Sequence, residues 1–158
     1  MTKIVAVLTC LLLGSASSFA AGTHAGGHDG ALAAGQAGKK SEVTRVIRVS
    51  MTETEEGAMV FSPPRFQIKK GETIRFAIVN KGETDHEFVL DDQKGMQEHK
   101  ALMERFPEME HADPNSIRLG PGAKGEIIWK FSVAGEFQFA CLIPGHMEAG
   151  MHGPVLVN

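Results

Sequence analysis

Near its C-terminal end the chain spaces a thiol, an imidazole and a thioether evenly: Cys141, His146 and Met151, in Cys-Leu-Ile-Pro-Gly-His-Met-Glu-Ala-Gly-Met. A second imidazole, His86, lies upstream in Asp-His-Glu-Phe-Val-Leu. A metal that exchanges one electron must be held in two charge states by a single set of side chains. Thiolate and thioether suit Cu(I), imidazole suits both Cu(I) and Cu(II), and a trigonal Cys/His/His arrangement with a weak axial Met is the compromise. Each residue alone has a plainer reading: His86 as a core or surface histidine, Met151 as packing, Cys141 as a buried structural thiol. It is the set that points to one copper ion. Zinc competes for Cys and His, but structural zinc takes four such ligands. A Cys–His hydrolase needs an oriented base and an oxyanion hole, for which no motif is present.

The set has one thiol to use. Of the two cysteines, Cys10 falls in an apolar run from Ile4 to Leu13 that follows Lys3 and precedes the small-residue stretch Ser18-Phe19-Ala20. That pattern reads as a secretory signal over residues 1–20, cut after Ala20. The run is too short for a permanent membrane span. A lipid anchor through Cys10 is the weaker reading, since Thr9 precedes it within the run. The expected location is the periplasm or cell exterior, an oxidising compartment in which a lone Cys141 lacks a disulfide partner in the chain. A bound metal would both use and protect it.

Strands carry these residues to one place. The chain has 158 residues, 18 glycines, 9 phenylalanines and no tyrosine, a balance that suits a turn-rich β domain. Its net charge of −3 gives no nucleic-acid footprint. Residues 21–42 are Gly- and Ala-rich with His24 and His28, and read as a flexible leader. From Val43 onward, alternation sets in. Val43, Ile47 and Val49 share a face, as do Phe66 and Ile68; Ile74, Phe76 and Ile78 point inwards, with Thr73, Arg75 and Ala77 outwards. Ile127, Trp129 and Phe131 follow the same rule, Phe137 and Phe139 lead into Cys141, and Val155 to Val157 closes the chain. Residues 92–115 break the pattern. Here Met96, His99, Leu102, Met103 and Phe106 form a helical stripe, fenced by Pro107 and Pro114. The stripe fits packing against strands; together with Met109 and His111 it also fits an auxiliary Cu(I) site, and period alone does not separate the two. Short strands, Gly/Pro turns and one helical insertion predict an all-β, antiparallel sandwich.

Val60-Phe61 to Pro64, Lys70-Gly-Glu-Thr73, the Asn80 turn before His86-Glu-Phe, Gly135-Glu-Phe-Gln-Phe-Ala-Cys141 and the Cys-x4-His-x4-Met loop together resemble the cupredoxins, the plastocyanin/azurin-like copper proteins. The resemblance covers residues 43–158, with the helical insert as elaboration. It implies a Greek-key β-sandwich with one type 1 copper held by His86, Cys141, His146 and Met151. It also implies that His146 lies near the surface, ringed by Leu142, Ile143, Pro144 and Met147, an apolar rim on which a redox partner would dock. Two positions depart from the family pattern. Glu87 stands where Asn or Ser often follows the first His, and Phe139 stands where a Tyr often precedes the Cys by two residues, which bears on how the site is tuned. The expected role is one-electron transfer, without bond chemistry of its own. The alternative is copper handling for tolerance, with His24, His28 and the insert as accessory ligands, since the resemblance extends to periplasmic copper-resistance cupredoxins. A copper oxidase or nitrite reductase subunit would need more chain for a second domain.

Overall fold

The computed structural model describes residue 32, residues 34–107 and residues 113–158. In chain order the elements are β1 (Gln36–Ala37), a 3-10 turn at Lys40–Glu42, β2 (Arg45–Glu53), β3 (Met59–Ser62), β4 (Phe66–Ile68), β5 (Thr73–Asn80), β6 (His86–Asp91), α1 (Gln93–Arg105), β7 (Ser116–Leu119), β8 (Lys124–Lys130), β9 (Gly135–Ala140) and β10 (His152–Val157). They form two five-stranded sheets, ordered β1-β8-β5-β2-β3 and β4-β10-β9-β6-β7. The all-β Greek-key sandwich with a helical insertion is therefore the observed fold.

Alternation fills the space between the sheets. Ile74, Phe76 and Ile78 from β5, Ile127 and Trp129 from β8, Phe137 and Phe139 from β9 and Val155 and Val157 from β10 belong to one buried cluster. Its centre is aromatic: Phe139 stacks on Phe66 with ring centroids 4.3 Å apart, and Phe61 meets Phe88 edge-on at 5.7 Å. Such ring pairs add about 0.5–1.5 kcal/mol each beyond the area they bury. Phe139, which lacks the hydroxyl of a tyrosine, is fully buried in this stack.

At the level of the fold, four expectations are corrected. The sandwich is not wholly antiparallel: β2 runs parallel to β5, and β4 parallel to β10. Between β2 and β5 the chain passes through β4 in the other sheet, and a crossover of that kind, unlike a hairpin, permits parallel pairing. Second, paired and buried structure begins before residue 43, within the stretch read as a leader. Gln36 and Ala37 pair with Lys130 and Trp129 of β8, and Ala34 is fully buried in the core. Third, Thr73 is buried rather than outward-facing, with Gly38, the residue after the added strand, packed against it. A β-carbon on Gly38 would lie 2.7 Å from the Thr73 methyl, so the glycine allows the close approach. The fourth concerns the insert. Its helix begins where Asp92 accepts a hydrogen bond from the Gly95 amide at 2.7 Å, a standard N-cap. Met96 and Met103 are buried as expected, but Leu102 and Phe106 are 41% and 49% exposed. At about 100° per residue, Met96, His99 and Met103 fall within an arc of about 60°, and Leu102 lies beyond it. Phe106 is already the C-cap, with φ −140 and ψ 67, and has left the helical path.

The helix explains why β6 does not alternate. Five of its six residues, His86 to Leu90, are buried. Phe88 and Leu90 face the sandwich, whereas Val89 packs with Met96, Met103, Ala140 and Leu142 in a second apolar cluster beneath α1. His24, His28, Met109, His111 and the expected signal segment lie outside the described residues.

Candidate metal centre

Three of the four expected ligands meet at one end of the sandwich. His86 opens β6, and Cys141 follows the last residue of β9. His146 sits in the loop that returns to β10. Cys141 and His86 are fully buried, and His146 is partly exposed. The loop is closed by its own backbone: His146 donates to the Ile143 carbonyl at 3.0 Å, Met151 to the His146 carbonyl at 3.0 Å, and Cys141 to the Met151 carbonyl at 3.0 Å. Gly145 and Gly150, with φ of +88 and +103, supply the left-handed residues these tight turns require.

The donor atoms form a compact triangle. Nδ1 of His86 lies 3.2 Å from Nδ1 of His146, which lies 3.4 Å from Sγ of Cys141. All three ligand atoms fall within 4.8 Å of one another. An ion about 2.0 Å from imidazole nitrogen and about 2.3 Å from thiolate, the lengths found for zinc, spans donor separations of this size. The residues present thus fit a small transition-metal ion. Met151 is fully buried, and its backbone bonds to both Cys141 and His146 set it beside the triangle.

Burial sets the protonation of the group. It pushes the Cys141 thiol up to about 12, against the opposing donation of the Glu87 and Ile143 amides. Burial also holds both imidazoles below the ordinary histidine value, the partial attraction of Glu53 notwithstanding in each case. The imidazoles are therefore neutral and ready to bind at neutral pH, whereas the thiol must give up a proton to the metal.

Contacts around the triangle hold it in place. The Glu87 amide donates to Cys141 Sγ at 3.2 Å. The Glu87 carboxylate turns away and lies 3.5 Å from His99 Nε2 on α1, both side chains being largely buried. His99 is thus engaged with Glu87, and Met96 and Met103 are packed in the cluster under the helix. This arrangement matches the packing reading of the stripe. Lys100 of α1 is paired with Glu148 of the ligand loop.

The apolar rim differs from expectation. Leu142 is 2% exposed because Met96 and Met103 of α1 cover it. Ile143 and Met147 are partly buried against the same cluster, and Pro144 is exposed. The insert has closed over part of the surface that the ligand loop would otherwise offer.

One residue beside the triangle carries no mark in the sequence. Glu53, at the end of β2, brings Oε1 to 3.0 Å from Nε2 of His86. It sits among Thr54, Glu55 and Glu56 and reads as an ordinary acidic turn. Only pairing of β2 beside β5 brings it against the Asn80–His86 turn.

The family model of the copper binding proteins, plastocyanin/azurin family, matches residues 48–158. The chain belongs to that family. Copper is accordingly the metal of this cupredoxin, as the His/Cys/His triangle suits. Among its relatives, a copper-resistant cuproprotein CopI of Rubrivivax gelatinosus is 45% identical over 138 residues, or 87% of this chain and 80% of that protein. A copper-resistant cuproprotein CopI of Pseudomonas aeruginosa is 32% identical over 153 residues, 78% of this chain and 82% of that protein. Among solved structures, auracyanin B superposes with a TM-score of 0.62 at 17% identity, covering 77% of this chain and 94% of that one. The reduced auracyanin of Roseiflexus castenholzii gives 0.59 at 20% identity, with 73% and 97% covered. At these identities the auracyanins speak for the cupredoxin fold alone.

Proposed function

We propose that this cupredoxin holds one type 1 copper through His86, Cys141 and His146, with Met151 as the axial ligand, and that it serves copper tolerance in the periplasm. The observation that carries the copper site is the donor triangle, two Nδ1 atoms 3.2 Å apart with the Cys141 sulfur 3.4 Å from one of them. Bound there, copper supplies a one-electron Cu(II)/Cu(I) couple. The chain's part is to present the donors in a fixed frame: a β6 residue, the residue that follows β9 and a loop latched by its own amides. No bond-making step is assigned to it. The tolerance role is supported by the relatives, CopI proteins described as copper-resistant. It is supported too by α1, which buries Leu142 and so narrows the apolar rim a redox partner would use.

The second reading is one-electron transfer to a partner protein. It is favoured by the partial exposure of His146, next to exposed Pro144 and the half-buried Ile143 and Met147. Deleting the gene separates the two. Under the tolerance reading the deleted strain loses growth at raised copper and keeps its respiratory or photosynthetic electron flow. Unchanged copper tolerance together with impaired electron flow would overturn that reading in favour of the shuttle.

A further inference from the structure

The Glu53 carboxylate occupies a cradle built for it. The Thr84 hydroxyl donates to Oε1 at 2.6 Å, the Thr84 amide to Oε1 at 3.1 Å and the Glu83 amide to Oε2 at 3.0 Å. Gly82 forms the floor: a β-carbon there would lie 2.1 Å from Oε2 and 2.8 Å from the carboxyl carbon, so only glycine leaves room. The turn itself is held by Asn80, whose side chain donates to the carbonyls of Thr84 and Leu119 at 2.7 and 2.8 Å and accepts from the Gly82 amide at 2.8 Å. Three donors and a fitted floor leave Oε1 directed at the fully buried His86 ring, 3.0 Å from Nε2. Among the described residues Nε2 is buried without a formed hydrogen bond, and the Glu53 carboxylate is its near anionic neighbour, within ion-pair distance but not aligned as an acceptor in this geometry.

Chemistry gives that contact a role. An imidazole that binds metal through Nδ1 must keep its remaining proton on Nε2, and that N–H needs an acceptor once buried. An anionic acceptor fixes the tautomer and ring angle and makes the other nitrogen a stronger donor. We propose that Glu53 is the positioning residue for His86: it holds the ring so that Nδ1 faces the copper, and its charge favours Cu(II) over Cu(I). This rests on the reading of His86 as a copper ligand through Nδ1. Glu53 is not itself a ligand, because its carboxylate lies on the far side of the ring.

The test uses the full-length, copper-loaded protein. Glu53→Gln keeps the size and removes the charge; Gly82→Ala keeps the charge and displaces the carboxylate. Both are expected to lose Cu(II) affinity by about 10–100-fold, as removal of such a partner does at other metal sites. Cu(I) affinity should change less. A tenfold change in their ratio raises the one-electron potential by about 59 mV. In the metal-free protein, the 15N shifts of the His86 ring should show loss of the Nε2–H preference in Glu53→Ala, a readout that general destabilisation does not move. Wild-type potential and ring shifts in Glu53→Gln, Glu53→Ala and Gly82→Ala would overturn the proposal while leaving the copper site intact. If His86→Gly left the copper spectrum untouched, the ligand assignment would fall, and the role of Glu53 with it.

Discussion

The backbone amide of Glu87 donates to the sulfur of Cys141 across 3.2 Å, tying β6 to the residue that follows β9. The same residue's carboxylate reaches His99 on α1. Glu87 therefore joins the Cys141 sulfur to the helical insert, where the smaller Asn or Ser frequent among cupredoxins would not reach. A buried carboxylate is costly without a partner, so the departure at Glu87 and the presence of His99 explain each other. The insert is a brace over the ligand loop.

Cys141→Ser removes the only thiol among the described residues. The variant should fold and should lose the intense thiolate-to-copper absorption of the wild-type protein. An optical spectrum after copper addition checks this; a variant with the wild-type band would exclude Cys141 as a ligand.

Copper loading should release a proton. The Cys141 thiol stays protonated through neutral pH because burial lifts it to about 12, while both imidazoles are held low and are already neutral. One proton should leave per copper bound, and affinity should rise about tenfold for each pH unit until the thiol ionises by itself. Titration in weak buffer with a pH indicator measures the release. Uptake with no proton released would show that Cys141 keeps its proton and does not bind the metal as thiolate.

Met103→Ala empties a fully packed position under α1 and should cost about 2–5 kcal/mol in denaturant unfolding. Leu102→Ala, one residue earlier and exposed, should cost far less, within about 0.5 kcal/mol plus any small loss of residual packing. Equal costs would mean that the helix presents a different face to β6.

The His99–Glu87 pair should make stability depend on pH in a definite direction. Burial pulls the His99 value down, but the Glu87 carboxylate outweighs it with other acidic groups and leaves it raised. Its contribution is therefore fully present below the unfolded histidine value of about 6.5 and is lost as pH rises through the higher folded value. The stability gap between wild type and His99→Gln should shrink over that interval. A gap that widened toward alkaline pH would contradict the pairing.

Much of the fold was legible because strand alternation and soft-ligand spacing are local signals. The positions of Phe76, Ile78, Ile127, Trp129 and Phe139 in the core follow from a period of two. The edge strand at Gln36–Ala37 was not legible, since two residues in a Gly/Ala-rich stretch have no period; only the open edge of β8 recruits them. The helical stripe gave the right burial for Met96 and Met103, yet overstated it for Leu102 and Phe106, whose surroundings depend on how α1 lies across β6 and β9.

By itself, then, the order of residues determined which side chains have the chemistry to bind copper and which strands carry them, because ligand softness and side-chain alternation are properties of short stretches. The company those residues keep came from the packing of distant segments. Glu53 reaches His86 because β2 lies beside β5, Glu87 reaches His99 because α1 folds back over β6, and Leu142 is hidden by that same helix. Each is a meeting of residues far apart in the chain, set by sheet order and helix docking, and no local pattern encodes it.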